Sequence, residues 1–206
     1  TIKTKKEVIV GPSEAMSKSK KNTIDPEDVI SNYGADSIRL FILSDSPPNR
    51  DIQWSDEGIS ASYKFLQRLW TLNINLKSRK NTSNNENFKN NHLVEKFTNK
   101  IIYSLTKNLE NFQYNVVIAN IYEIYNNFNK FLFDENIESL VLLENFKKVL
   151  IMFMPILPHF ASECLLSANT KEIAWPSYNK EITDSDTCKI VVQINGKKRG
   201  LLEMKT

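Results

Sequence analysis

The sequence predicts a mainly α fold. An antiparallel helical bundle is preceded by a loop-bearing segment and followed by a β-hairpin that starts a truncated α/β unit. Three observations carry this. Apolar residues recur at spacings of three and four through most of residues 55–168. Helix starts are marked at Asp25-Pro26 and at Ser55-Asp56-Glu57. Near the end, Asn195-Gly196 separates two alternating apolar runs.

Lys6 to Val10 alternates weakly and is expected as a short strand ending at Gly11-Pro12. From Met16 to Lys21 a serine–lysine alternation, MSKSKK, is expected as an exposed loop. Asp25 is placed to cap a helix, with Pro26 at its first position. Glu27 and Asp28 put negative charge at the positive end of the helix dipole. Gly34 is expected to close this helix as a left-handed cap. A second helix, ADSIRLFILS, is expected to bury Ile38, Leu40, Phe41 and Ile42, and Pro47-Pro48 forbid its continuation.

Asp51–Trp54 reads as an extended link into a third helix, with Ile59, Tyr63, Leu66, Leu69, Trp70 and Leu72 inward. It fades by Ser78 into the polar loop SRKNTSNNENFKNN. Helices are expected over Leu93–Leu109, Asn115–Phe133 and Ile137–Phe153, the last broken at Pro155 and Pro158. HFASECLLSA adds another, ended by Trp175-Pro176. Short loops between long helices give a bundle. A hairpin is expected from about Lys189 to Met204, since both central residues of a type I′ turn need positive φ and Asn-Gly supplies them.

Composition limits the chemistry. The chain has 206 residues, 41% hydrophobic and 25% charged, with a net charge of +3. That balance allows a packed core and does not by itself indicate a nucleic-acid partner. Two cysteines, Cys164 and Cys188, have no metal-ligand spacing, and reduced thiols in the cytoplasm are expected. With only His92 and His159, a histidine metal site or a Ser-His-Asp triad is poorly supplied, and no metal site is expected. No apolar run reaches the roughly 18 residues of a membrane span. Thr1 is not an initiator Met, and the final LLEMKT stops within an expected strand, so a longer parent chain is expected. The three tryptophans and the tyrosines fall at core spacings and read as packing. His159 reads as a packed or capping residue, Cys164 as an inert buried thiol, and Asp56-Glu57 as first-turn helix acids.

The stretch AMSKSKKNTIDPEDVISNYGADSIRLFILSDSPP resembles the second signature of class I aminoacyl-tRNA synthetases. In that family Lys-Met-Ser-Lys-Ser is followed by an Asn, a helix opening at Asp-Pro and the phrase Tyr-Gly-Ala-Asp. Here these stand at Ala15–Ser19, Asn22, Asp25-Pro26 and Tyr33–Asp36. Ser19-Lys20-Lys21-Asn22 is similar to the leucyl branch, as are the stretch from SDSPPNRDIQW into the third helix, FMPILPHFASE, WPSY and VVQINGKKRG. The resemblance covers Val8 to Met204.

The resemblance implies a bundle of the class I anticodon-binding type and a part in leucine–tRNA ligation. That reaction joins leucine to ATP, with Mg2+, and passes the leucyl group to tRNA-Leu. Residues 1–54 would be the signature-loop segment, 55–180 the tRNA-binding bundle, and 187–206 the start of a C-terminal domain. Lys18, the motif's second lysine, would stabilise charge growing on the departing pyrophosphate. Met16, Ser17 and Ser19 would join it at ATP. Ala15 stands where the family has its first lysine. Its role is then dispensable, or taken by Lys20 or Lys21, or the position has been altered. Lys64, Arg68, Lys77, Arg79 and Lys80, with Lys197, Lys198 and Arg199, are candidate contacts to the tRNA backbone. The family's His-Ile-Gly-His signature is absent, so the chain alone is expected to be inactive. The expected partners are tRNA-Leu, ATP and leucine, with no membrane and a monomeric state. The alternative is a stand-alone RNA-binding helical module without ATP chemistry, or a helical domain with no ligand.

Overall fold

A computed structural model describes residues 11–80, 88–170, 173–179 and 187–205. The strand expected at Lys6–Val10 and the middle of the polar loop, residues 81–87, lie outside the described residues. Seven helices and one two-stranded sheet are present among the rest: α1 (Pro26–Tyr33), α2 (Ala35–Asp45), α3 (Asp56–Ser78), α4 (Asn91–Glu110), α5 (Tyr114–Phe131), α6 (Ser139–Phe153), α7 (Pro158–Ser167), β1 (Thr187–Ile194) and β2 (Lys197–Lys205).

Local chemistry explains the boundaries. The Asp25 carboxylate accepts the Glu27 N–H at 2.9 Å, and the Ser55 hydroxyl accepts the Gly58 N–H at 3.0 Å. Gly34 alone joins α1 to α2. Its φ is positive as expected, 78°, but its ψ of 154° lies outside the left-handed helical region. With no other linker residue, the chain must turn at once into α2, and only glycine adopts that conformation readily. Ser46 ends α2 in extended form, as the residue before a proline should. The final helix stops at Ser167, well before Trp175-Pro176. Asn169 takes φ 54°, while the Asn169 and Thr170 N–H groups donate to the carbonyls of Leu166 and Leu165. This is a Schellman ending with asparagine in the glycine position.

The main core is built by α3–α7 with Leu40 of α2, and Phe65, Phe128, Phe146 and Phe153 are fully enclosed in it. The stripe of α3 facing it is Phe65, Leu69, Leu72 and Leu76, with Ser62 and Asn73 also buried. Trp70 lies one residue off that stripe and is 40% exposed, so its expected burial is corrected. Ile42 on α2 and Leu93 on α4 are exposed for the same reason: each lies off its helix's buried face. Trp175 is also exposed, yet its indole N–H donates to the Thr106 hydroxyl at 2.9 Å. With Tyr178 edge-on to Tyr103, it lays segment 173–179 along α4.

A smaller core of Val29, Phe41 and Ile59, flanked by Tyr33, Ile38 and Trp54, packs α1 and α2 on α3. Gly58 is needed here, because a Cβ would sit 2.5 Å from the Phe41 ring. In the hairpin, Asn195 and Gly196 have φ 53° and 71°, the paired positive values of a type I′ turn. Val192 pairs with Gly200 and Gln193 with Lys198, which leaves Arg199 as the extra residue of a bulge.

Candidate functional site

The Ser/Lys stretch is a folded double turn. Lys20 N–H donates to Ser17 O and Lys21 N–H to Lys18 O, each at 3.2 Å. Asn22 clasps its base: its amide oxygen accepts the Ser17 N–H at 2.8 Å, and its NH2 donates to Ala15 O at 3.4 Å. The hydroxyls of Ser17 and Ser19 lie 3.2 Å apart, and Ser17 Oγ also accepts the Lys20 N–H at 3.3 Å. Lys21 completes the turn with φ 53°. Serine side chains therefore shape the loop, and Asn22 fixes its base.

The lysines divide by charge partner. The Lys20 ammonium pairs with Glu14. Lys18 is exposed, and neither it nor Lys21 has an ion pair among the described residues. Met16 is also exposed, and beside it Ala15 lines a cleft of about 590 Å³ with Glu14, Asn22 and Asp51–Trp54. Trp54 forms a wall where the loop segment meets the start of α3. Its ring is edge-on to Phe41 at 5.4 Å, and its N–H donates to Asp56 at 2.8 Å.

The bundle cations separate into two groups. Arg79 is turned inward: its guanidinium donates to the carbonyls of Asp134 and Ile137, at 2.6 and 2.8 Å, and to the Ser139 hydroxyl. Burial pushes its pKa below the ordinary arginine value, with Asp134 pulling the other way. The Lys77 ammonium donates to the Ser167 carbonyl at 2.9 Å, at the negative end of α7. Lys64, Arg68 and Lys80 are exposed. The Arg68 guanidinium lies over the rings of Phe65 and Tyr125, 5.6 and 5.9 Å from their centres. Lys197 and Arg199 are exposed beside the hairpin turn, and the Lys198 side chain lies outside the described residues.

Two residues that sequence reasoning left without a role join the loop segment to the bundle. Asp36, nearly buried at the start of α2, accepts the Phe160 N–H at 2.7 Å and contacts His159 Nδ1 at 2.9 Å. One turn on, Arg39 donates to the carbonyls of Pro155 and Ile156. The His159 side chain is 76% exposed and not packed, which corrects that part of its expectation. A usable sequence signal was the start of α7, with Pro158 at its first position and Leu157 as a cap that has no acceptor side chain. Cys164 is fully buried, and desolvation pushes its thiol pKa up to about 12.

Among the described residues, no three His, Cys, Asp or Glu cluster to hold a metal ion. No helix among them is long and apolar enough to cross a membrane.

Comparison with known proteins gives two family matches. The anticodon-binding domain of tRNA ligase matches residues 91–206, and the class I tRNA synthetases for I, L, M and V match residues 8–55. The leucine–tRNA ligase of Bartonella quintana (strain Toulouse) is 37% identical over 204 residues, covering 94% of this chain and 23% of the relative. That of Bradyrhizobium diazoefficiens is 35% identical over 217 residues, covering 100% and 25%. The crystal structure of the Agrobacterium radiobacter K84 AgnB2 LeuRS–tRNA–LeuAMS ternary complex aligns with TM-score 0.70 at 25% identity, over 92% of this chain and 25% of that one. The chain thus spans about a quarter of the length of the relatives it matches.

Proposed function

The chain belongs to the family of anticodon-binding domains of tRNA ligases, and from that premise we propose that it supplies the phosphate-binding loop and the tRNA-stem-binding bundle of a leucine–tRNA ligase. Its similarity to leucine–tRNA ligases over nearly its whole length supports the amino-acid assignment. The observation that carries the reading is the divided charge of the loop. Lys18 stands exposed on a turn held by Asn22, while Lys20 is paired with Glu14.

The reaction is attack of the leucine carboxylate on the α-phosphorus of ATP, with Mg2+ as the nucleotide's counter-ion. The bond to the bridging oxygen breaks and pyrophosphate leaves. Negative charge grows on that bridging oxygen and on the β- and γ-phosphates. An ammonium already in place stabilises the transition state more than the ground state. Lys18 is assigned to that charge. Lysine suits a mobile closure over phosphate, because its charge is compact and its stem flexible. The Ser17 and Ser19 hydroxyls bond each other here, Ser17 also accepts the Lys20 N–H, and both can exchange those bonds for phosphate oxygens. Met16 flanks the nucleotide. Ala15 contributes no side-chain charge, and the Lys20–Glu14 pair leaves Lys18 and Lys21 as the loop's unpaired ammonium groups among the described residues.

For tRNA, Lys64, Arg68, Lys197 and Arg199 are the outward cations proposed to meet phosphate. Arg79 is withdrawn from that set because its donors already hold three acceptors inside the fold. Lys77 retains one structural bond and is secondary. The domains are proposed as 1–54 for the loop segment, 55–180 for the bundle and 187–206 for the start of a C-terminal unit.

A hybrid tests the reading: a related leucine–tRNA ligase whose matching quarter is exchanged for this chain. Leucine-dependent ATP–pyrophosphate exchange by the hybrid, and none by the isolated chain, is the expected result. RNA binding by the isolated chain together with an inactive hybrid would favour a stand-alone RNA-binding module.

A further inference from the structure

Helix α2 meets the corner between α6 and α7 through two side chains of opposite charge. Arg39 takes the carbonyls of Pro155 and Ile156, at 2.7 and 2.9 Å. Asp36, one turn earlier, takes the Phe160 N–H and the His159 imidazole. The same corner is thus held by its acceptors and by its donors. Asp36 provides from α2 the cap that Leu157 cannot. Its side chain is 5% exposed and its bond to the Phe160 N–H is buried, so water cannot easily replace that contact.

The loop segment depends on this joint. Gly34, two residues before Asp36, is the single residue joining α1 to α2. Upstream, α1 opens at Asp25, only three residues after Asn22 clasps the phosphate loop. A rotation of the first turn of α2 is therefore passed to α1 and the loop through one glycine and through the small core that α1 and α2 share on α3.

We propose that Asp36 is a positioning residue for the Lys18 loop. By fixing the first turn of α2 to the start of α7, it sets where the loop stands relative to the bundle. This deepens the ligase reading, and its functional meaning rests on it. A residue 18 positions from Lys18 in sequence would thus register the catalytic loop on the element that holds the tRNA stem.

Spin labels at Ser31→Cys on α1 and Lys100→Cys on α4, in a Cys188→Ser chain, test it without nucleotide. Both sites are exposed, and Cys164 is buried. The distance distribution should be narrow with Asp36, at least twice as wide in Asp36→Ala, and largely restored in Asp36→Asn, which keeps an acceptor for Phe160. A wild-type width in Asp36→Ala overturns the proposal. If Asp36→Ala does not fold, a wild-type width in Asp36→Leu, which keeps the volume and removes the acceptor, overturns it instead. In the active hybrid, Asp36→Ala should lower the kcat of exchange about tenfold with KM for leucine unchanged, and Asp36→Asn should recover most of it. Broadening with an unchanged kcat also overturns the role. If the unmutated hybrid is inactive, the ligase reading fails, and the distance measurement still decides whether Asp36 fixes the loop segment.

Discussion

The Asp36 carboxylate accepts the Phe160 N–H at 2.7 Å across 124 residues of sequence. It belongs to the short phrase Tyr33-Gly34-Ala35-Asp36, and its partner opens the last helix of the bundle. A buried hydrogen bond to a charged group contributes about 1.5–3 kcal/mol. Asp36→Ala is therefore expected to destabilise the chain by about that much in urea unfolding, and Asp36→Asn by clearly less. Equal losses for the two variants would show that charge and not acceptor geometry holds the corner.

Gly58 sets two effects against each other. Alanine would favour the helix by about 1 kcal/mol. Its methyl carbon would lie 2.5 Å from Cε2 of Phe41, a ring packed edge-on against Trp54. Overpacking of a filled core costs about 1–3 kcal/mol, so the clash should win. Gly58→Ala is expected to lower the urea midpoint and perturb the Trp54 fluorescence. A rise in the midpoint would mean that the Phe41 ring yields freely.

Arg79 and Arg68 lie on the same helix or at its end and should behave differently. Arg79→Ala removes donors from the Asp134 and Ile137 carbonyls and the Ser139 hydroxyl. A stability loss of about 2 kcal/mol is expected, with the salt slope of tRNA binding unchanged. Arg68→Ala should instead leave stability nearly unchanged and reduce that slope by about 0.7–0.9. Titrations of tRNA affinity against salt separate the two, and a reduced slope for Arg79→Ala would return that residue to the RNA-facing set.

Cys164 is fully buried, and its thiol pKa is pushed up to about 12 by desolvation. In a Cys188→Ser chain it should resist alkylation at pH 8 when folded and react in denaturant. The unfolded thiol loses its proton near pH 9, while the folded thiol keeps it to about pH 12. The folded state then binds more protons, so stability should fall as pH rises through that window. Cys164→Ala should lack this component of the fall, and identical pH profiles for the two chains would contradict the burial account.

Much of the fold was legible because the relevant signals are local. Asp25-Pro26, Ser55, Gly34 and Asn195-Gly196 each fix a boundary through their own backbone or side chain. The face of α3 was harder to read. Ser62 and Asn73 occupy buried positions, which weakens the apolar stripe, while the large Trp70 lies beside it. The end of α7 was missed because asparagine, not glycine, takes the positive φ at 169. Within the candidate site, sequence showed which residues carry charge. It could not show which charges are already paired, since Arg79 meets Asp134 and Ile137 from 55 and 58 residues away.

The central claim is that Lys18 carries the phosphate chemistry and that the position of Ala15 does not. Leucine-dependent ATP–pyrophosphate exchange in the hybrid ligase tests it most directly. Lys18→Ala should lower kcat by about 10²–10³, the usual loss for one preorganised contact to developing charge. Ala15→Lys should change it by less than about threefold, under about 0.7 kcal/mol. A silent Lys18→Ala, or a large gain in Ala15→Lys, would contradict the account.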